Sequence, residues 1–258
     1  TQTSDADTFF FDSTGLRMAN FSAGDYIYMA IRRGSLAPPE AATDVFDTVV
    51  STASQPYVVT TALDYVDMTI NRDRTAGQSF ISSRITGSKW MFMDSTQAES
   101  NAPNDVKYDF NGKVMPYFYE NNQSHVNCMW KRALSFFDVV AYTGNGTAGH
   151  NVSHNLGAVP EMMWVKKRSN TGNWRVYHSA TGNTYNTFLN LNSKGNSSTL
   201  YWNNTTPTSS VFTLGTLQDV NKSGETYIAY LFATLDGVSK VGSVTHSGTT
   251  NVDCGFSA

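Results

Sequence analysis

Six residues, Gly144-Asn145-Gly146-Thr147-Ala148-Gly149, spell the G-x-G-x-x-G spacing with which dinucleotide-binding enzymes bring backbone amides against a pyrophosphate. That chemistry needs a strand before the glycines, a helix after them and a βαβ unit of about 30 residues around them. The residues from His150 to Val165 instead place Asn, Gly and Pro where the helix would begin. The pattern therefore predicts a hairpin turn with glycine at positive φ, not a phosphate cradle.

Other reactive residue types are equally poorly placed. His150 and His154 form H-x-x-x-H, but on a strand two such rings lie about 13 Å apart at about 3.3 Å per residue, too far for one ion. No metal and no cofactor is expected. Glu40, Glu99, Glu120, Glu161 and Glu225 fall in linkers or turns, so no carboxylate pair for glycoside hydrolysis stands out. There is no G-x-S-x-G, no P-loop and no local Cys–His pairing. The sequence reads as that of a non-enzyme.

Lys166-Lys167-Arg168 reads as a solvated hairpin face. Cys128 and Cys254 lie outside any zinc or disulfide spacing and read as two buried thiols. Among the five tryptophans, Trp130 and Trp164 sit inside apolar strand runs and read as core. Trp174 and Trp202, beside polar turns, are the candidates for stacking on a sugar.

The elements that must position these residues are strands. Thirteen Tyr and fifteen Phe accompany many Thr and Val, punctuated by nineteen Gly, which favours an all-β chain. Charged residues make up only 15% and the net charge is -3, so no nucleic-acid partner is expected. No apolar run approaches the ~20 residues of a membrane span.

The chain is also self-similar. "YIYMAIRR" (26–33), "HVNCMWKR" (125–132) and "YIAYLFAT" (227–234) align without gaps, followed by "FDTVV" (46–50), "FDVVAYTGNGT" (137–147) and "SKVGSVTHSGT" (239–249). "MTINRDRTAG" (68–77) likewise matches "MWVKKRSNTG" (163–172). This arrangement predicts two β-sandwich units at 45–134 and 135–236. Residues 1–33 would close a preceding unit, 34–44 would be a Pro-containing linker and 237–258 would open a following unit. Strands are expected near 137–143, 150–155, 161–168, 173–179, 186–192, 199–202, 209–214 and 226–234, the density of a sandwich or jelly roll. The chain thus reads as a piece of a longer tandem array.

The stretches "FFDVVAYTGNGTAGHNVSHNLGAVPEMMWVKKRSNTGNWRVYHS", "LYWNNTTPTSSVFTLG" and "SGETYIAYLFATLDGVSKVGSVTHSGTTNVDCGFSA" resemble a tandem repeat domain of structural, notably tail-fibre-like, proteins of marine tailed phages including cyanophages. "SAGDYIYMAIRRG" near the N-terminus is similar to the closing strand of that repeat, while the unit at 45–134 departs from its usual opening. The resemblance implies a virion component of a fibre or appendage, with other virion proteins as partners and a homo-oligomer, a trimer for a fibre. It carries no catalytic residues to transfer. A host-surface glycan is the ligand that Trp174 and Trp202 would serve, and a carbohydrate-binding, lectin-like sandwich module is the alternative reading.

Overall fold

The computed structural model describes residues 8–12, 15–19, 38–52, 58–74, 77, 79–101, 107–108, 113–115, 124–193 and 195–255. By its contacts the chain divides into Thr1–Ser35 and Leu36–Ala258. In the first unit, β1 (Thr8–Asp12) and β2 (Gly15–Ala19) pair antiparallel with Asp12 opposite Gly15. The predicted strand at 26–33 lies outside the described residues.

The larger unit is all-β. It runs through β3 (Phe46–Thr52), β4 (Val59–Thr60), β5 (Met68–Asp73), β6 (Ser79–Ser83), β7 (Lys89–Phe92), β8 (Ser100–Asn101), β9 (Lys107–Tyr108), β10 (Lys113–Met115) and β11 (Ser124–Trp130). It continues with β12 (Phe137–Thr143), β13 (His150–Ser153), β14 (Met162–Lys167), β15 (Arg175–His178), β16 (Tyr185–Phe188), β17 (Asn196–Ser197), β18 (Val211–Leu214) and β19 (Thr226–Phe232). Two four-residue helices, α1 (Thr199–Trp202) and α2 (Gln218–Asn221), lie late in the chain.

Two six-stranded antiparallel sheets carry the unit, ordered β3-β11-β5-β6-β7-β8 and β12-β19-β14-β15-β16-β17. Their registers correspond. Trp130 of β11 stands opposite both Phe46 and Met68, as Phe232 of β19 stands opposite both Phe137 and Met162. At the far edges Lys89 pairs with Asn101 and Tyr185 with Ser197. The sequence match of 68–77 to 163–172 is thus displaced by one residue, since Met162, not Met163, holds the place of Met68. In a strand that step exchanges the two faces.

Four β layers result. Strands β4, β10 and β9, with the loop after β4, cover one face of the first large sheet through Val59, Leu63, Val66 and Val114 against Met129. The β13-β18 pair covers the second through Val152, Phe212 and Leu214 against Met163, Val165 and Tyr227. Between the large sheets lie Met68, Ile81 and Met91 from one side and Phe137, Trp174, Tyr230 and Phe232 from the other. Strand β19 sends Tyr227, Ala229 and Leu231 into one cluster and Ile228, Tyr230 and Phe232 into the next. Burial on both faces explains why its sequence is apolar throughout.

Residues 199–202, expected as a strand, form α1. The Ser198 hydroxyl accepts from the Leu200 N–H at 3.1 Å, and Asn203 and Asn204 turn left-handed at φ 51° and 52°, which stops the helix after one turn. The cysteines also depart from expectation. Cys128 is only partly buried, on the face of β11 that also carries Val126 and Trp130, and Cys254 is exposed beyond β19.

Candidate functional site

The glycine motif joins β12 in one layer to β13 in the next, so it is a crossover between sheets and not a hairpin. Each glycine has its own cause. A Cβ on Gly144 would lie 2.4 Å from the Lys222 carbonyl oxygen, while Gly146 and Gly149 have φ of 73° and 83°. Four of the six amides of the motif are engaged within the fold. Gly144 N–H donates to Glu225 O (2.9 Å), Asn145 N–H to Asn221 Oδ1 (2.9 Å), Thr147 N–H to Asn145 Oδ1 (2.8 Å) and Gly149 N–H to Leu214 O (2.9 Å). Asn221, fully buried, completes the turn by donating to Thr147 O (2.9 Å) and Gly215 O (2.7 Å).

The histidines and carboxylates are braces. His150 Nδ1 meets Asn221 Oδ1 at 2.9 Å. His154 Nδ1 accepts the Leu156 N–H (3.3 Å) and its Nε2 faces Thr208 O (3.2 Å), which fixes a neutral ring protonated on Nε2. Burial holds the His154 pKa below its ordinary value, against the opposing effects of Thr208 and Asp138. Asp138 takes the Asn155 N–H at 2.7 Å, and in the same place on β3 Asp47 takes the Ala62 N–H at 3.0 Å. Burial pushes Asp138 up; for Asp47 the hydrogen bonds from Thr61 and Ala62 outweigh burial and hold it low. Among the described residues no group of three or more His, Cys, Asp or Glu is arranged to hold a metal.

The two tryptophans expected to offer sugar platforms are in the core. Trp174 and Trp202 are both fully buried, with indole N–H groups donating to Phe92 O (2.8 Å) and Tyr185 O (2.9 Å). Neither leaves a ring face open to a glycan, which corrects the expectation. Trp130 and Trp164, expected as core, are partly buried at the rim of the inter-sheet cluster.

What the structure does assemble is a polar clasp along one edge of the interface between the large sheets. Arg168 grips Glu99 by Nε to Oε1 (2.9 Å) and Nη2 to Oε2 (3.0 Å), and the Glu99 N–H donates to Arg168 O at 2.9 Å. Lys89 adds a contact to Glu99 at 3.3 Å. Beside this pair, the fully buried Lys166 donates to Thr96 O (3.0 Å) and Gly172 O (2.7 Å), and Gly172 N–H donates to Thr96 O (2.9 Å). Burial lowers the Lys166 amine to about 8, with Asp219 opposing and Lys167 adding to the shift. The basic triplet is therefore not a solvated face. Its strand is interior: the Lys166 amine meets Thr96 O from the other sheet's loops and Gly172 O from its own β14–β15 turn, and the Arg168 guanidinium meets the Glu99 carboxylate.

A second polar group fastens the connection between β11 and β12. Asp67 accepts from Arg84 Nε (3.2 Å) and from the Arg132 N–H (2.7 Å), and the Arg132 guanidinium stands 3.5 Å from Asp138. Both carboxylates are almost wholly buried, at 3% and 4% side-chain exposure, so these ions are paired as burial requires.

Residues 120–258 match a sequence family described as a domain of unknown function, DUF7483. The chain belongs to the DUF7483 family. No curated protein and no solved structure matches it. The DUF7483 match takes in β11 to β19, so Arg132, Asp138, Lys166, Arg168 and Trp174 lie within the domain, whereas Glu99, Thr96 and Phe92 precede it. The clasp thus ties residues within the DUF7483 match to a loop that precedes it in the chain. Sequence reasoning missed the clasp. Its one local sign is three cations closing an apolar strand, Met162-Met163-Trp164-Val165, where a buried partner is needed.

Proposed function

We propose that this chain is a structural, non-enzymatic component of a phage virion, a length of tandem β-sandwich units from a tail fibre or similar appendage. The units are 45–134 and 135–236, with partial units at 1–33 and 237–258. The observation that carries the reading is the correspondence of strand order and register in the two large sheets, down to the ring pairs Phe46–Trp130 (4.9 Å) and Phe137–Phe232 (5.3 Å) at equivalent places. Copies joined by a buried interface and charged clasps would make a stiff rod, as stacked repeats do. The four engaged amides of the glycine turn and the bracing roles of Asp47 and Asp138 also suit a scaffold better than a catalyst. The resemblance to phage fibre repeats supplies the virion context, with host-surface contact and assembly into an oligomer as its corollaries. The lectin-like alternative loses the two residues named for it.

Immunogold labelling of purified virions with antibody raised against this chain tests the reading. Label on a projecting appendage is expected; particles that carry no label would sink it.

A further inference from the structure

The turn that leads out of β11 recurs after β19. In the first, Ala133 N–H donates to Phe137 O (3.1 Å), Phe137 N–H to Ala133 O (3.2 Å) and Phe136 N–H to Ala133 O (3.3 Å), with Ser135 at φ 60°. In the second, Leu235 N–H donates to Ser239 O (3.1 Å), Ser239 N–H to Leu235 O (2.8 Å) and Val238 N–H to Leu235 O (2.9 Å), with Gly237 at φ 70°. Further along, Gly146 at φ 73° has its counterpart in Gly248 at φ 67°.

Between these matched turns the two segments differ. Residues 137–143 are strand β12, paired along their whole length with β19. Residues 240–245, after the single bridge at Ser239, form no strand, and all but Val241 are exposed, Val244 at 55%. Their turns are set for an opening strand, and what is missing among the described residues is the closing strand opposite.

We propose that residues 239–245 are a strand-acceptor segment that takes up the closing strand of a further copy of the same unit by antiparallel addition. This rests on the tandem reading above. The β12–β19 register places Ser239 opposite the position of Phe232 and Thr245 opposite that of Thr226. The donors are fixed too. Gly144 N–H donates to Glu225 O, so the alternate positions Asp138, Val140 and Tyr142 face the partner, and their counterparts are Lys240, Gly242 and Val244. Main-chain bonds along such an edge supply affinity and the alternating side chains supply register.

The probe is a peptide of residues 24–34, GDYIYMAIRRG, whose sequence aligns with β19 and whose two arginines keep it soluble. Hydrogen exchange of the full chain is followed by mass spectrometry with the peptide and with a scrambled version. The expected result is at least about tenfold slower exchange across 239–245 with the native peptide alone, and loss of that protection in Gly242→Pro, which removes one ladder donor. No protection, equal protection by the scrambled peptide, or protection that survives Gly242→Pro overturns the inference. Each of those results would leave the virion reading standing, and unlabelled virions would sink that reading without changing the exchange result.

Discussion

Glu99 and Arg168 meet as a bidentate pair, at 2.9 and 3.0 Å, across 69 residues of chain and from the ends of strands β8 and β14 of the two large sheets. Their side chains are 5% and 17% exposed, so the pair works in a largely dry setting where geometry and charge both count. Replacing Glu99 by Gln keeps the shape and removes the charge, leaving the guanidinium under-compensated. A loss of about 2–3 kcal/mol in urea unfolding is expected. A change below about 0.5 kcal/mol would mean that the clasp is incidental to how the sheets hold together.

Lys166 gives the interface a distinctive alkaline response. Its pKa falls from 10.5 to about 8 on folding because the charged amine is buried. The unfolded chain therefore binds more protons than the folded one between those values, and stability contributed by this site rises with pH across the window. Below about pH 8 the penalty is constant, on the order of 3 kcal/mol at most. Lys166→Met should flatten the rise between pH 8 and 10 when unfolding free energies of the two proteins are subtracted; parallel curves would refute the assignment.

His154 makes the opposite end of the pH scale informative. Its ring accepts the Leu156 N–H, a bond that protonation destroys, and burial keeps its pKa below the ordinary 6.5. Stability from this site is present above about pH 6.5 and declines as pH falls. Asp138, whose carboxyl is pushed up by burial, works against that decline nearer its own range. His154→Asn retains an acceptor for Leu156 without the titration. Thermal unfolding at pH 7 and pH 5 should show a smaller drop in Tm for the variant than for the parent, and an equal drop would remove His154 from the acid response.

The strands were legible because their alternation and spacing are local properties. Phe46-Asp47 and Phe137-Asp138 match in the sequence, and the structure gives both aspartates the same task of capturing a backbone N–H just beyond the first strand of a covering layer. What could not be read is whatever depends on a partner far along the chain. Lys166 looks solvated until Thr96 is known to lie over it, and Trp174 looks exposed beside its polar turn until its indole N–H is found on Phe92. The inverted burial of Trp174 and Trp164 has the same origin, since a second layer over the sheet decides which ring is central. The one-residue displacement at Met162 reflects a pattern of near-continuous apolar residues, in which alternation no longer marks the faces.

The glycine turn offers a contrast between two causes for the same residue type. At Gly144 the obstacle is space, for an added Cβ would stand 2.4 Å from Lys222 O and 2.9 Å from Tyr227 Cε2, and the first of these is backbone that cannot rotate away. At Gly146 the obstacle is conformation, with φ at 73° and the nearest atom, the Ser223 Cβ, 3.2 Å away. Gly146→Ala should cost about 1–2 kcal/mol, the usual left-handed penalty for a residue with a Cβ. Gly144→Ala must displace the chain around Lys222, next to the buried Asn221 that holds the turn, and should cost more than Gly146→Ala by at least about 1 kcal/mol. A phosphate-binding loop would reverse the emphasis, with both variants folding normally and losing a nucleotide-induced rise in Tm. The expected observations are unequal destabilisation and no shift in Tm on adding a dinucleotide to the parent. A dinucleotide that raises the parent's Tm in a saturable way would reinstate the cradle.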